Sequence, residues 1–229
     1  MKYFWHYRPE DNFPPAPVVQ VKDAPRSDRL CVACTQTSLS PAAQRALVRE
    51  WCRVLPTLSD IRFLWLSSKV PQPLFEAACG MRFLEGLWIK WGGVTDITSL
   101  QCLDALRYFH LGSSTRLASI EPLSKLHNLK WLGLENLKLV RDLTPIAKLV
   151  ELEGLTLEGS IWSTQRVKTL APIARLRCLR YLSIANLRTD DHTLAPLFTL
   201  DTLETLICAK WWDETELAEI RRRNPGLAA

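Results

Sequence analysis

"LHNLKWLGLENLKL", Leu126 to Leu139, spaces its leucines by three, three, two, three and two residues. A helix of period 3.6 does not suit that rhythm, and neither does a strand of period 2. Inside it, "LKWLGLE" alternates. Leu132 and Leu134 point one way, and Trp131, Gly133 and Glu135 point the other, as in a short strand with one buried face. The leucines three residues earlier turn the chain into that strand. A single turn of this kind cannot bury its own leucines, so it needs stacked neighbours.

The neighbours are visible. The frame apolar-x-x-apolar-x-x-apolar-x-apolar starts at Leu58, Met81, Leu103, Leu126, Leu149, Leu176 and Leu200, at intervals of 23, 22, 23, 23, 27 and 24 residues. The segments read "LSDIRFLWL", "MRFLEGLWI", "LDALRYFHL", "LHNLKWLGL", "LVELEGLTL", "LRCLRYLSI" and "LDTLETLIC". All four key positions are apolar in every segment, which chance would almost never produce in a chain that is 47% hydrophobic. Repetition at this period means a solenoid. A second apolar set follows each strand, in "IEPLSKL", "LTPIAKL", "LAPIARL" and "LAPLFTL". Proline fits the first turn of a helical segment, where a missing N–H costs little.

From Leu58 to the C-terminus the chain resembles the leucine-rich repeat family, in its class with units near 22 residues. The resemblance implies an α/β solenoid: a right-handed superhelix with a concave parallel β-sheet and short helical or 3-10 return segments. It also implies an interaction scaffold. Many such repeats carry an asparagine three residues after the last strand leucine, with its amide on neighbouring backbone. Here those positions hold Lys69, Gly92, Ser114, Leu137, Ser160, Leu187 and Trp211. The asparagine ladder is absent, and Leu137 and Leu187 are expected to fill the site by packing.

An open solenoid must be capped. Residues 213–229 are expected to form a capping helix, with Asp213 as N-cap, Glu216 completing a capping box, and Asn224, Pro225 and Gly226 as the stop. Residues 26–57 read as a divergent capping repeat. It holds a strand in "RLCVACTQT" and a helix between Ser40–Pro41 and Pro56. The repeats proper occupy 58–212. Residues 1–25 form an irregular arm rich in proline and aromatic residues, namely Tyr3, Phe4, Trp5, Tyr7 and Phe13. The arm either packs on the first repeat or binds something.

Composition narrows the function. Lys plus Arg is 29 and Asp plus Glu is 24, a net charge of +5. That falls short of the dense basic stripe of a dedicated nucleic-acid binder. "RRR" at Arg221 to Arg223 reads as a helix end, where cations suit the dipole. No 18-residue apolar run is present, so no membrane span is expected, and the N-terminus lacks the apolar core of a secretion signal. The seven cysteines read as reduced, buried thiols of a cytosolic protein. No phosphate loop, nucleophile elbow or H-E-x-x-H motif is present. Cys31 and Cys34 have C-x-x-C spacing without a second ligand pair, and His192 lies in the loop "DDHT". No catalytic residue, metal or cofactor is expected.

Binding has more support. Residues flanking the strand leucines face the concave side. Phe63, Trp65, Trp88, Tyr108, Trp131 and Tyr181 supply rings, with Lys90, His110, Glu135 and Glu158 as a polar surround. Five or six half-exposed rings make a patch of about 500 Å², at the top of what monomers expose. Trp and Tyr dominate interface hot spots. The 27-residue interval adds a loop, "EGSIWSTQRVKT", with Trp162, Gln165 and Arg166 expected at its tip, where Trp162 either stands exposed as a contact or folds back over the stack. The expectation is a protein partner, of unspecified identity, docked on these rings. On that reading Trp88→Ala with Trp131→Ala leaves stability nearly unchanged. The alternative is a carbohydrate or nucleic-acid binder that uses the rings as stacking platforms. Two bland readings compete: a cross-strand ring ladder that covers the sheet, or the N-terminal arm lying across it.

Overall fold

The computed structural model describes residues 5–227. Tyr3 and Phe4 of the arm, and the last two residues of the expected C-terminal cap, lie outside them. The strands are β1 (Arg29–Val32), β2 (Phe63–Val70), β3 (Gly86–Gly92), β4 (Tyr108–Gly112), β5 (Trp131–Glu135), β6 (Gly154–Glu158), β7 (Gln165–Val167), β8 (Tyr181–Ile184), β9 (Leu187–Thr189) and β10 (Thr205–Cys208). Eight form one sheet in the order β1-β2-β3-β4-β5-β6-β8-β10, and every pairing is parallel. Each repeat contributes one strand, and β7 pairs with β9 in a separate ribbon. The architecture is the α/β solenoid read from the repeats.

The register explains the leucine rhythm. Leu64, Leu87, Phe109, Leu132, Leu155 and Leu182 stand opposite one another strand after strand. All six are fully buried. One column runs the length of the stack, and each leucine is covered by the next coil. Truncating such a residue to alanine costs about 2–5 kcal/mol.

The return limbs close the other wall. The first two are α-helices, α1 (Pro41–Val54) and α2 (Gln72–Cys79). Later ones are 3-10 turns, Glu121–Lys125, Thr144–Lys148, Ala171–Arg175 and Ala195–Thr199, each with proline at its start. Their apolar pairs, such as Leu123 with Leu126 and Ile173 with Leu176, are three residues apart. Three residues is one 3-10 turn, so both members reach the core.

Leu137 and Leu187 are buried where a ladder asparagine would sit. The polar work has moved. Gln165 accepts from the Leu137 N–H at 3.0 Å and donates to the carbonyls of Leu137 (3.1 Å) and Val140 (2.9 Å). One residue before the family position, Asn136 donates to Ser113 at 3.2 Å, and Asn186 donates to the Ser160 carbonyl at 2.7 Å. Asn136 holds φ of 53°, a left-handed conformation that asparagine tolerates well.

Both ends carry a capping helix, while the outer edge of β10 (Thr205–Cys208) stays partly exposed. Ser40 accepts from the Ala43 N–H at 3.3 Å and starts α1. At the other end, Asp213 accepts from Thr215 (2.8 Å) and Glu216 (3.1 Å) and starts α3 (Glu214–Arg223). The capping box closes on one side only. The Glu216 carboxylate reaches back one repeat and accepts from the Leu194 N–H at 2.7 Å and from Thr193. Asn224 does more than stop the helix. It is buried, accepts from Leu203 at 2.9 Å and donates to the Leu200 carbonyl at 3.0 Å. At the N-terminal edge the arm pairs with β1: Val18 N–H donates to Cys31 O at 2.8 Å, and Ala33 N–H donates to Val18 O at 2.9 Å. Trp51 donates to Val19 O at 2.9 Å and holds the arm there. An unpaired edge is an aggregation hazard, and this contact blunts it.

Candidate functional site

The concave face carries three rows across the strands. The row at the strand starts runs Phe63, Gly86, Tyr108, Trp131, Gly154, Tyr181. The middle row runs Trp65, Trp88, His110, Gly133, Thr156, Ser183. Lys90, Glu135 and Glu158 lie at the strand ends. Glycines alternate with rings for a steric reason. A Cβ on Gly154 would lie 2.1 Å from the Trp131 indole, and one on Gly86 would lie 2.7 Å from both Phe63 and Trp5. Phe63, His110 and Trp131 each pack over a glycine of the next strand.

The expectation that these rings stand open is revised. The arm lies on them. Trp5 stacks on Tyr108 (centroids 5.5 Å apart) and tilts against Trp65 (5.8 Å) and Phe63 (6.5 Å). Phe13 meets Trp65 edge-on at 5.0 Å. His6 stacks on Trp88 at 5.7 Å, and its carbonyl accepts from the Trp65 indole at 3.1 Å. Arg8 and Arg29 sandwich Phe13 at 4.4 and 4.1 Å from its ring. Trp65 is left 1% exposed, Tyr181 3% and Trp131 6%, with Trp131 and Tyr181 packed together at 5.0 Å. Phe63, Trp88 and Tyr108 are partly buried against the same cluster. A ring packed this way is held by its neighbours and offers a partner little surface. Trp88→Ala with Trp131→Ala is therefore expected to lower stability.

Electrostatics follow the cover. Burial lowers the His6 pKa to about 4. Burial, and then His6 itself, lower that of His110 to about 3. Both rings are therefore neutral at pH 7. Glu135 lies 3.9 Å from His110, and burial, then Glu158, raise its pKa. Glu158 accepts from the Ser183 hydroxyl. The thiols are inert: burial raises Cys31 and pushes Cys34 to about 11. Cys31 sits under the ring cluster while Cys34 joins the leucine core, so the pair points apart. All seven cysteines are free, but Cys102 and Cys178 are exposed, which corrects the expectation that all are buried. Among the described residues no group of three His, Cys, Asp or Glu could hold a metal, and no helix is long and apolar enough to cross a membrane.

Three tryptophans past the strand ends stay open, besides scattered residues such as Phe83 and Ile207. Trp162 is 89% exposed and Ile161 88%. Their loop is clamped: Ser160 N–H donates to Ser163 O at 2.8 Å, Ser163 donates to Asn136 at 2.9 Å, and Asn186 donates to both serine carbonyls. Trp91, at the end of β3, is 41% exposed, with Lys90 over its ring at 5.5 Å and its indole donating to Gln36 at 3.0 Å. Trp211, 44% exposed beyond β10, carries Arg188 at 4.7 Å. Sequence reasoning placed Trp162 here but missed Trp91 and Trp211. "IKWGG" was the available signal: a tryptophan just past the alternating frame.

No family model matches the chain, and no curated protein matches it. Solved structures do. Internalin C2 of Listeria monocytogenes aligns with a TM-score of 0.58 at 27% identity, over 76% of this chain and 71% of its own. A second internalin of that organism gives 0.56 at 18% identity, over 87% and 59%. A leucine-rich repeat protein of Leptospira interrogans gives 0.62 at 17% identity, over 93% and 51%. The chain thus spans little more than half the length of the last two.

Proposed function

We propose, from the premise that this chain is a leucine-rich repeat protein, that it is a non-enzymatic module that docks a protein partner along the rim past its strand ends. The observation that carries this reading is the tip of the inserted loop. Ile161 and Trp162 stand almost wholly in solvent on a clamped backbone. A large ring held in water by a rigid loop gains most when a partner covers it, and it loses little entropy on binding. Trp91 and Trp211 extend the rim to either side. From β3 to β10 the sheet crosses five strand spacings, about 24 Å, the width of a protein contact. Lys90, Glu135 and Glu158 supply polar contacts beside it. Phe63, Trp65, Trp88, Tyr108 and His110 serve from below, as the bed for the arm, and Trp131 and Tyr181 pack on each other beside it. Seven free thiols suit a reducing compartment such as the cytoplasm.

The test is capture from host lysate by the intact protein beside Ile161→Ser with Trp162→Ala. We expect a protein retained by the first and lost from the second, with unchanged circular dichroism. Equal capture by both sinks the rim. A second reading rests on a cleft of about 360 Å³ lined by Trp5, Phe63, Tyr108 and Trp131, by Arg8, Arg107, Lys130 and Arg180, and by Glu153, which pairs with Lys130. Rings beside cations suit a carbohydrate or nucleic-acid segment. Oligonucleotide affinity that falls steeply with salt supports this second reading over the first.

A further inference from the structure

Helix α1 carries a feature that the fold does not require. Its buried anchor is Trp51, helped by Leu47. Arg45, Arg49 and Arg53 recur every fourth residue, so they share one face and span about 12 Å. Like charges at that spacing repel. The one acidic residue of α1, Glu50, lies beside Arg49 and three residues before Arg53 and forms no ion pair with either. All three are exposed, and none has a carboxylate within ion-pair distance among the described residues.

Beside this row lies a cleft of about 650 Å³. Its floor is apolar, built from Val48 and Cys52 of α1 and from Pro71 and Pro73 at the start of α2. Lys69 closes the far side with a fourth cation. Helix α2 has eight residues against fourteen in α1, so it cannot cover the whole flank. Cys52 is a poor nucleophile here, since burial and then the nearby Glu76 raise its pKa. The groove therefore offers packing and charge, and no chemistry.

We propose that this groove is a second docking site, for an acidic amphipathic helix of a protein partner. Such a helix lays an apolar stripe on Val48, Cys52 and the prolines, while its flanking carboxylates meet Arg45, Arg49 and Arg53. Matching charges across the groove remove the repulsion that α1 carries alone. The site adjoins the tryptophan rim at Gln36 and does not rest on it.

The probe is a synthetic fluorescein-labelled peptide of about 15 residues with a leucine stripe flanked by glutamates. Matched controls carry Lys for Glu, or Ser for Leu. Anisotropy is read in about 50 and about 300 mM NaCl, where charge attraction differs most. We expect saturable binding of the acidic peptide, weaker by about tenfold at high salt, with no binding of either control. Arg45→Glu with Arg49→Glu and Arg53→Glu abolishes it, Val48→Ser weakens it, and Arg49→Lys retains it. Thermal melts show that each variant folds, and Trp162→Ala binds the peptide normally. The proposal is overturned by absence of saturable binding, by equal binding of the lysine peptide, or by an unaffected triple variant. Tighter binding of a single-stranded oligonucleotide also overturns it, as does a dimer in sedimentation that the triple variant disrupts.

Discussion

The two ends of the concave strands come from the same repeats and meet opposite surroundings. At the strand starts and middles, rings pack on one another and on glycines, and the arm covers those of β2 to β4. Past the strand ends, Trp91, Trp162 and Trp211 stay in solvent although the same residue type is used. Residue type does not set the role of a tryptophan here; what lies above it does. The covered rings should report on stability and the open ones on binding.

Trp131→Ala should show the contrast most strongly. Removing a buried ring costs about 3–5 kcal/mol, which for a chain of this size lowers the melting temperature by about 10 °C. An unchanged melt would put Trp131 in the open class. Acidification comes next. His6 and His110 have folded pKa values near 4 and 3, below the unfolded value of about 6.5. Their contribution is complete above the unfolded value and is lost as pH falls toward the folded ones. At pH 4.5 the loss is about 2–3 kcal/mol per ring, opposed in part by Glu135, whose raised pKa works the other way. Urea melts at pH 7 and 4.5 measure it, and His6→Phe should flatten the dependence.

Smaller effects sharpen the boundary. Gly154→Ala places a methyl inside the Trp131 ring and should cost about 1–3 kcal/mol, visible as a lower urea midpoint. Asp213→Ala removes the carboxylate oxygen that accepts from two N–H groups of α3 and should cost about 1 kcal/mol. Trp162→Ala should shift stability by less than about 0.5 kcal/mol, since nothing covers the ring. A larger shift would mean that the loop leans on the core.

Much of the fold was legible. The seven frames each produced a strand, the return prolines each opened a helical turn, and Ser40 and Asp213 cap the helices expected of them. The ring row was found as well, and its cover by the arm stood among the alternatives without being chosen. Trp5 and Phe13 reach Trp65 from more than fifty residues away, and no periodicity in the arm announces it. Gln165 likewise replaces a ladder asparagine from the next repeat, across 28 residues of chain.

Local pattern therefore determined the coil: alternation and spacing are short-range properties, and burying leucines at that rhythm has one common solution, the stacked turn. Which rings are sealed, which stand in water and where the cations gather beside an apolar groove were decided only in three dimensions. Those outcomes depend on contacts between distant segments, and a spacing of two or three residues carries no record of them.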